Sequence, residues 1–252
     1  MSVTEINNNH PRTKLICGDC MEQLKKFEDD SIDLIVTDPP YRTTSRGNCL
    51  GGGMFKKKIN LKGQVFTHNN IDCSEYAPEF YRVLKNGGHC YVMTNHVNLV
   101  NILNVFIGSG FHFIKSLIWD KQNKIVGTYY MSQFEYILFF RKGRGVKINH
   151  CGTSDILSVQ NKKTKDENGK NCHDTEKPVE LMKILIDNSS KEHDVVLDPF
   201  MGIGRAGIAC NELNRRFIGI EIDETYFKKA KDRIEQHAAQ MNIFDFMKTE
   251  GE

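Results

Sequence analysis

The sequence predicts an α/β fold in which a mostly parallel, twisted sheet carries helices on both faces. Three observations carry that prediction. Apolar runs without alternation, such as Ile32-Asp33-Leu34-Ile35-Val36-Thr37, read as strands buried on both faces. Segments with helical spacing fall between those runs, and glycine-rich breaks such as Asn86-Gly87-Gly88 and Gly108-Ser109-Gly110 separate the two kinds. No linker and no internal repeat divides the chain, so residues 1–252 read as a single domain carrying two long loops.

In order, Thr13 to Cys17 is a short strand and Met21 to Phe27 a helix. Ile32 to Thr37 is the next strand, ending in Asp38-Pro39-Pro40-Tyr41. Residues 42–63 contain Gly51-Gly52-Gly53 and Lys56-Lys57-Lys58, which sustain neither regular structure, so they read as a mobile loop. Tyr76 to Leu84 is a helix stopped by Asn86-Gly87-Gly88, and His89 to Thr94 a strand. Val97 to Ile107 repeats the helix, followed by strands at Phe113 to Trp119 and Glu135 to Phe140. Residues 141–174 turn polar and form the second loop. A helix from Pro178 to Asn188, a strand Val195 to Asp198, a helix from Arg205 to Leu213, a strand Phe217 to Ile222 and a helix from Glu224 to Gln240 complete the pattern.

Composition excludes several classes. Hydrophobic residues make up 39% of the chain and the net charge is only +2, which argues against disorder and against a uniformly basic protein. No apolar run approaches the roughly 20 residues that span a bilayer, and the start of the chain lacks a signal-peptide core, so a cytoplasmic location is expected. Eight cysteines stand mostly alone in apolar surroundings. Cys17-Gly18-Asp19-Cys20 has no second Cys-x-x-Cys to complete a zinc site, so free thiols and no metal are expected. Charge is unevenly placed: residues 42–63 count +6 and residues 141–170 count +5, leaving the remainder at −9. An acidic body with two basic flaps suits a polyanion, because each phosphate neutralised releases counterions.

Two turns carry the chemistry. Val195-Val196-Leu197-Asp198-Pro199-Phe200-Met201-Gly202-Ile203-Gly204 is a strand followed by a glycine turn, and Glu221 ends the next strand 19 residues after Gly202. Gly202-x-Gly204-x-x-Gly207 matches a dinucleotide fingerprint, so a dinucleotide-dependent oxidoreductase is one alternative. Only 45 residues follow Gly207, too few for the strands such a domain needs, and Asp198 stands where a pyrophosphate would be repelled. That acid suits a cationic ligand without phosphate, such as S-adenosylmethionine. At the other turn, Asp38-Pro39-Pro40-Tyr41 offers a carboxylate and unpaired carbonyls as acceptors for an exocyclic base amine, with Tyr41 as a stacking platform for a flipped base.

These residues resemble the amino-methyltransferases of DNA, in the permuted beta group whose catalytic motif precedes the cofactor motif. The resemblance runs from about residue 14 to residue 240 and rests on Gly18-Asp19-Cys20, Ser31 to Tyr41, Tyr81 to Gly88, Asp198 to Gly204 and Gly219-Ile220-Glu221. It implies a Rossmann-like class I methyltransferase fold in permuted order. It implies that Asp38 and Pro39 hold the target amine and Tyr41 stacks on the base, with Pro40 the remaining member of the catalytic motif. Asp198, Phe200, Gly202 and Gly204 would line the cofactor pocket, with Glu221 on the ribose, Asp19 near the adenine and Lys177 at the cofactor carboxylate. Residues 141–174 would be the target-recognition region, with Arg42, Arg46, Lys56, Lys57, Lys58, Lys142 and Arg144 on DNA. Members of the family are often dimers, and a restriction endonuclease is a further partner. Asp at position 38 leans toward adenine N6 over cytosine N4. Arg205 departs from the family's Thr or Ser, and Asp174 from its Pro.

Overall fold

Runs buried on both faces become the central strands of one sheet. The computed structural model describes residues 2–6, 13–40, 71–125, 129–161 and 176–249. Its strands are β1 (Ser2–Ile6), β2 (Thr13–Cys17), β3 (Ile32–Thr37), β4 (Leu84–Thr94), β5 (His112–Ile125), β6 (Ser132–Arg141), β7 (Ile156–Ser158), β8 (Val195–Asp198) and β9 (Arg216–Glu221). The helices are α1 (Cys20–Leu24), α2 (Cys73–Val83), α3 (Leu99–Gly108), α4 (Val179–Ser189), α5 (Arg205–Glu212) and α6 (Glu224–Thr249).

The strands lie in the order β1-β2-β9-β8-β3-β4-β6-β5-β7. Among the described strands, β1 and β6 alone run against the other seven. In β3, Leu34 and Val36 enter one core with α4, α5 and α6, while Ile35 enters the other with α1, α2 and α3. That alternation is why the run carries no polar face. All three are completely buried, so cutting Leu34 or Ile35 to Ala costs about 2–5 kcal/mol.

Chain order reverses between β3 and β8. From β3 the chain crosses through α2 to β4 on one side, and from β8 through α5 to β9 on the other, with the two helices on opposite faces. Such a reversal opens a crevice beyond the carboxyl ends of the strands. Asp38 follows β3 and Asp198 ends β8, so the two acids flank it.

Several expectations need correction. β4 starts at Leu84, directly after α2, rather than at His89. The Asn86-Gly87-Gly88 break is a bulge within the strand: Ile32 pairs with Leu84 but Leu34 with His89, and Gly87, at φ +87°, donates its N–H to the Lys142 carbonyl. Two strands lie outside the expected set: β1 forms a sheet edge, and β7 sits inside the polar stretch. β7 adds to β5 over three residue pairs only, too few to leave a readable pattern. α6 runs past Gln240 to Thr249. Among the described residues no helix is long and apolar enough to cross a membrane, and no group of three or more His, Cys, Asp or Glu stands ready for a metal ion.

Candidate active site

The two motifs meet because their strands are neighbours. β3 pairs with β8 through Leu34–Val196 and Ile35–Leu197, which brings the strand ends level. Thr37 then donates its hydroxyl to Asp198 Oδ1 at 2.8 Å, joining the catalytic turn to the glycine turn by one buried hydrogen bond.

On the glycine side, Asp198 also accepts the Phe200 N–H at 3.2 Å. Burial dominates all the same and pushes its carboxyl up to about 7. Glu221 accepts the N–H of Gly202 at 2.9 Å and of Asp223 at 2.8 Å, and burial pushes it too up to about 7. The turn needs glycine: Gly202 and Gly204 hold φ of +53° and +81°, and a Cβ on Gly204 would lie 2.9 Å from Ile234 Cδ1. Phe200 packs edge-on to Tyr76 at 5.4 Å between ring centres. Asp19 lies just past β2, where Cys17 pairs with Glu221, and caps α1 by accepting the N–H groups of Met21 and Glu22. Thus Asp19, Asp198, Phe200, Gly202, Gly204 and Glu221 are brought together at one end of the sheet. These groups fit an adenosyl amino acid: acids to accept from an ammonium and from ribose hydroxyls, beside a glycine turn that lets the backbone come close.

On the other side of the crevice the arrangement is different. Asp38 Oδ2 is bonded and ion-paired to the Lys177 ammonium, and Lys177 also lies 3.3 Å from Glu135 Oε2. Glu135 in turn holds Lys121 at 2.5 Å. Trp119, 1% exposed, underlies both ammoniums, 5.3 Å from Lys121 and 5.9 Å from Lys177. Burial raises the Asp38 carboxyl, Lys177 pulls it back and Glu135 pushes it up, leaving it above its ordinary range. Burial alone would raise Glu135, but Lys177 and Lys121 hold it below its ordinary value. Asp38 Oδ1 is buried with no hydrogen-bond partner among the described residues.

Lys177, expected at the cofactor carboxylate, therefore stands against Asp38. Glu135, Lys121 and Trp119 are site residues that sequence reasoning does not single out. Their sequence signal is weak: Glu135 opens an apolar run, and Lys121 is one of several charges in and after the strand that holds Trp119. Arg205, the departure from the family pattern, is paired with the fully buried Glu176, which Arg233 also approaches at 3.4 Å.

Two basic residues assigned to DNA lie elsewhere. β6 runs against β4, so Arg141 pairs with His89 at the end remote from Asp38. Lys142 follows it, about 15 Å along the strand axis from the level of Asp38. Its ammonium binds Asp30 at 2.8 Å and sits 4.8 Å over the Tyr81 ring, while the Arg144 N–H donates to Asn86 Oδ1 at 2.9 Å. Strand direction, which loop composition does not reveal, puts both at the wrong end for the pocket. Residues 149 and 150 then bind the end of α4, Asn149 donating to the carbonyls of Asp187 and Ser190. Tyr41, Arg42, Arg46, Lys56, Lys57 and Lys58 lie outside the described residues. So does residue 174, but Asn161 and Glu176 on either side of that gap stand near Lys121 and Lys177, at the catalytic end.

Comparison with known proteins fits this geometry. The N6/N4 methyltransferase family, described as DNA methylase, matches residues 32–232. The chain belongs to this family. Type II methyltransferase M.HinfI of Haemophilus influenzae is 30% identical across 97% of the methylase chain and 74% of its own. Type II methyltransferase M2.DpnII of Streptococcus pneumoniae is 30% identical across 90% and 91%. A crystal structure of an M1.HpyAVI–SAM complex shares the fold, with TM-score 0.66 and 24% identity over 88% of this methylase and 99% of that chain. The dinucleotide oxidoreductase alternative falls with the family match.

Proposed function

We propose that the protein transfers the methyl group of S-adenosylmethionine to the exocyclic N6 amine of an adenine turned out of duplex DNA. One observation carries the reading: a buried carboxylate oxygen, Asp38 Oδ1, without a donor among the described residues, on the rim of a crevice whose opposite rim carries Asp198. A buried acceptor left unpaired costs about 1–3 kcal/mol, so this one is built for a donor that arrives with the substrate. The DNA methylase family and the names of the type II relatives support the nucleic-acid substrate.

The residues divide the work. Asp198 and Glu221 hold the cofactor by its ammonium and ribose, and the glycine turn lets the backbone approach it. When bound, S-adenosylmethionine supplies an electrophilic methyl on a sulfonium. Asp38 Oδ1 and the Pro39 carbonyl accept the two amine hydrogens and draw the nitrogen lone pair out of the ring. Tyr41 stacks on the base. Orientation and these hydrogen bonds carry the rate, without a covalent enzyme intermediate. As nitrogen gains the methyl it loses one proton to the acceptor and so to solvent. A restriction endonuclease cutting the same site and a second copy of the chain complete the proposed partners, and the cytoplasm is the proposed setting.

The test uses methyl-tritiated cofactor and duplex DNA, followed by digestion to nucleosides. Label in N6-methyl-2′-deoxyadenosine is expected. Label in N4-methyl-2′-deoxycytidine alone would move the assignment to cytosine, and unlabelled DNA would end it.

A further inference from the structure

We propose that Lys177 and Glu135 are positioning residues for Asp38: Lys177 holds Oδ2 so that Oδ1 stays turned to the target amine, and Glu135, tied to Lys121, fixes where Lys177 stands. This rests on the reading of Asp38 as amine acceptor. Asp38 lies on a turn stiffened by two prolines but ends in a side chain free to rotate. The ion pair to Lys177, 139 residues away and 5% exposed, fixes that rotation. A second ion pair restrains Lys177: Glu135 Oε2 stands 3.3 Å from its ammonium, and Glu135 is anchored by Lys121 at 2.5 Å, both ammoniums lying over the ring of Trp119.

The charge pattern has a second effect. Among the described residues, the groups facing Asp38 are Lys177 from the segment entering α4, Glu135 from β6, Lys121 from β5 and Asp198 from β8. A buried carboxylate among other carboxylates takes up a proton unless a cation opposes it, and a protonated Asp38 would offer the amine a donor where an acceptor is required. An opposing cation within contact distance holds a carboxyl down by about one to three units. Lys177 supplies that opposition, and Glu135 works against it. The arrangement is distinct from contact with the cofactor carboxylate, which requires no relation between Lys177 and the ionisation of Asp38.

The experiment follows two signals across pH: kcat/KM for methyl transfer, and the emission of Trp119, the only tryptophan, in protein free of cofactor and DNA. Lys177→Met is expected to move the acid limb and the emission transition upward by about one unit or more. Glu135→Gln is expected to move both downward, and Lys177→Arg to restore the wild-type profile. Cofactor affinity by calorimetry stays within about threefold in every variant. Opposite shifts from the two substitutions are not a signature of damaged folding, and Glu135→Gln alone keeps the test open if Lys177→Met does not fold. The proposal is overturned if the limb stays put while Lys177→Met weakens cofactor binding, or if both substitutions shift it the same way. Should wild-type protein methylate no DNA, the functional reading fails by itself, and the Trp119 titration still reports whether Lys177 governs Asp38.

Discussion

Asp198 and Asp38 sit at the ends of neighbouring strands, yet they are treated differently. Among the described residues Asp198 receives a hydroxyl and a backbone N–H, and burial leaves it at about 7. Asp38 receives a lysine, and that lysine is tethered in turn by Glu135. The difference follows the ligand each acid faces. An acid awaiting a cationic cofactor is best left without a protein cation, since the ligand brings one. An acid awaiting a neutral amine has a protein cation beside it, and at Asp38 that cation pulls back part of the rise that burial causes.

The largest test of this contrast is Asp38→Ala. Turnover should fall about a thousandfold, as when one transition-state hydrogen bond is removed, with cofactor affinity unchanged by calorimetry. Retained turnover would deny Asp38 its role. Asp198→Asn should do the reverse, weakening cofactor binding about 10- to 100-fold, the scale of one hydrogen bond to a charged group. The two acids also part in pH dependence. With Asp198 near 7 in the free protein, an arriving ammonium favours the ionised form, so protons and cofactor compete. Affinity should fall by at least about tenfold per unit as pH drops below 7, and Asp198→Asn should make that fall shallower, leaving the share of Glu221, which burial also pushes up to about 7. A slope that the substitution leaves unchanged would place the ammonium elsewhere.

Smaller effects probe the two ends of the sheet. Replacing Lys56, Lys57 and Lys58 by Gln should weaken DNA binding and reduce the salt slope by roughly 0.9 for each phosphate no longer neutralised. An unchanged slope would return that loop to a solvated role. Lys142→Gln should leave DNA affinity within about twofold, because its ammonium is engaged with Asp30 and Tyr81 remote from the pocket. A large drop there would mean that DNA reaches around the sheet.

Much of this is legible in one dimension. β2, β3 and β8 match their expected ends, because each is a short run dominated by apolar residues and bounded by polar or turn-forming ones. The acids at strand ends are equally plain, since Asp38 and Asp198 close such runs and Glu221 falls at the spacing a ribose contact needs. What stays hidden depends on strand direction or distant pairing. Lys142 and Arg144 read as DNA contacts until the antiparallel run of β6 carries them to the far end. Glu135 reads as one charge in an apolar strand until β6 and β5 pair and set it against Lys121 and Lys177.

The class of fold, the two chemical turns and the residues that end them follow from local apolar patterning and from the backbone constraints of proline and glycine, which act over a few residues. That the two turns share a crevice, which basic residues stand beside it and which lysine faces the catalytic carboxylate emerge only once the sheet is assembled. Those outcomes depend on strand order and direction, which long-range burial selects.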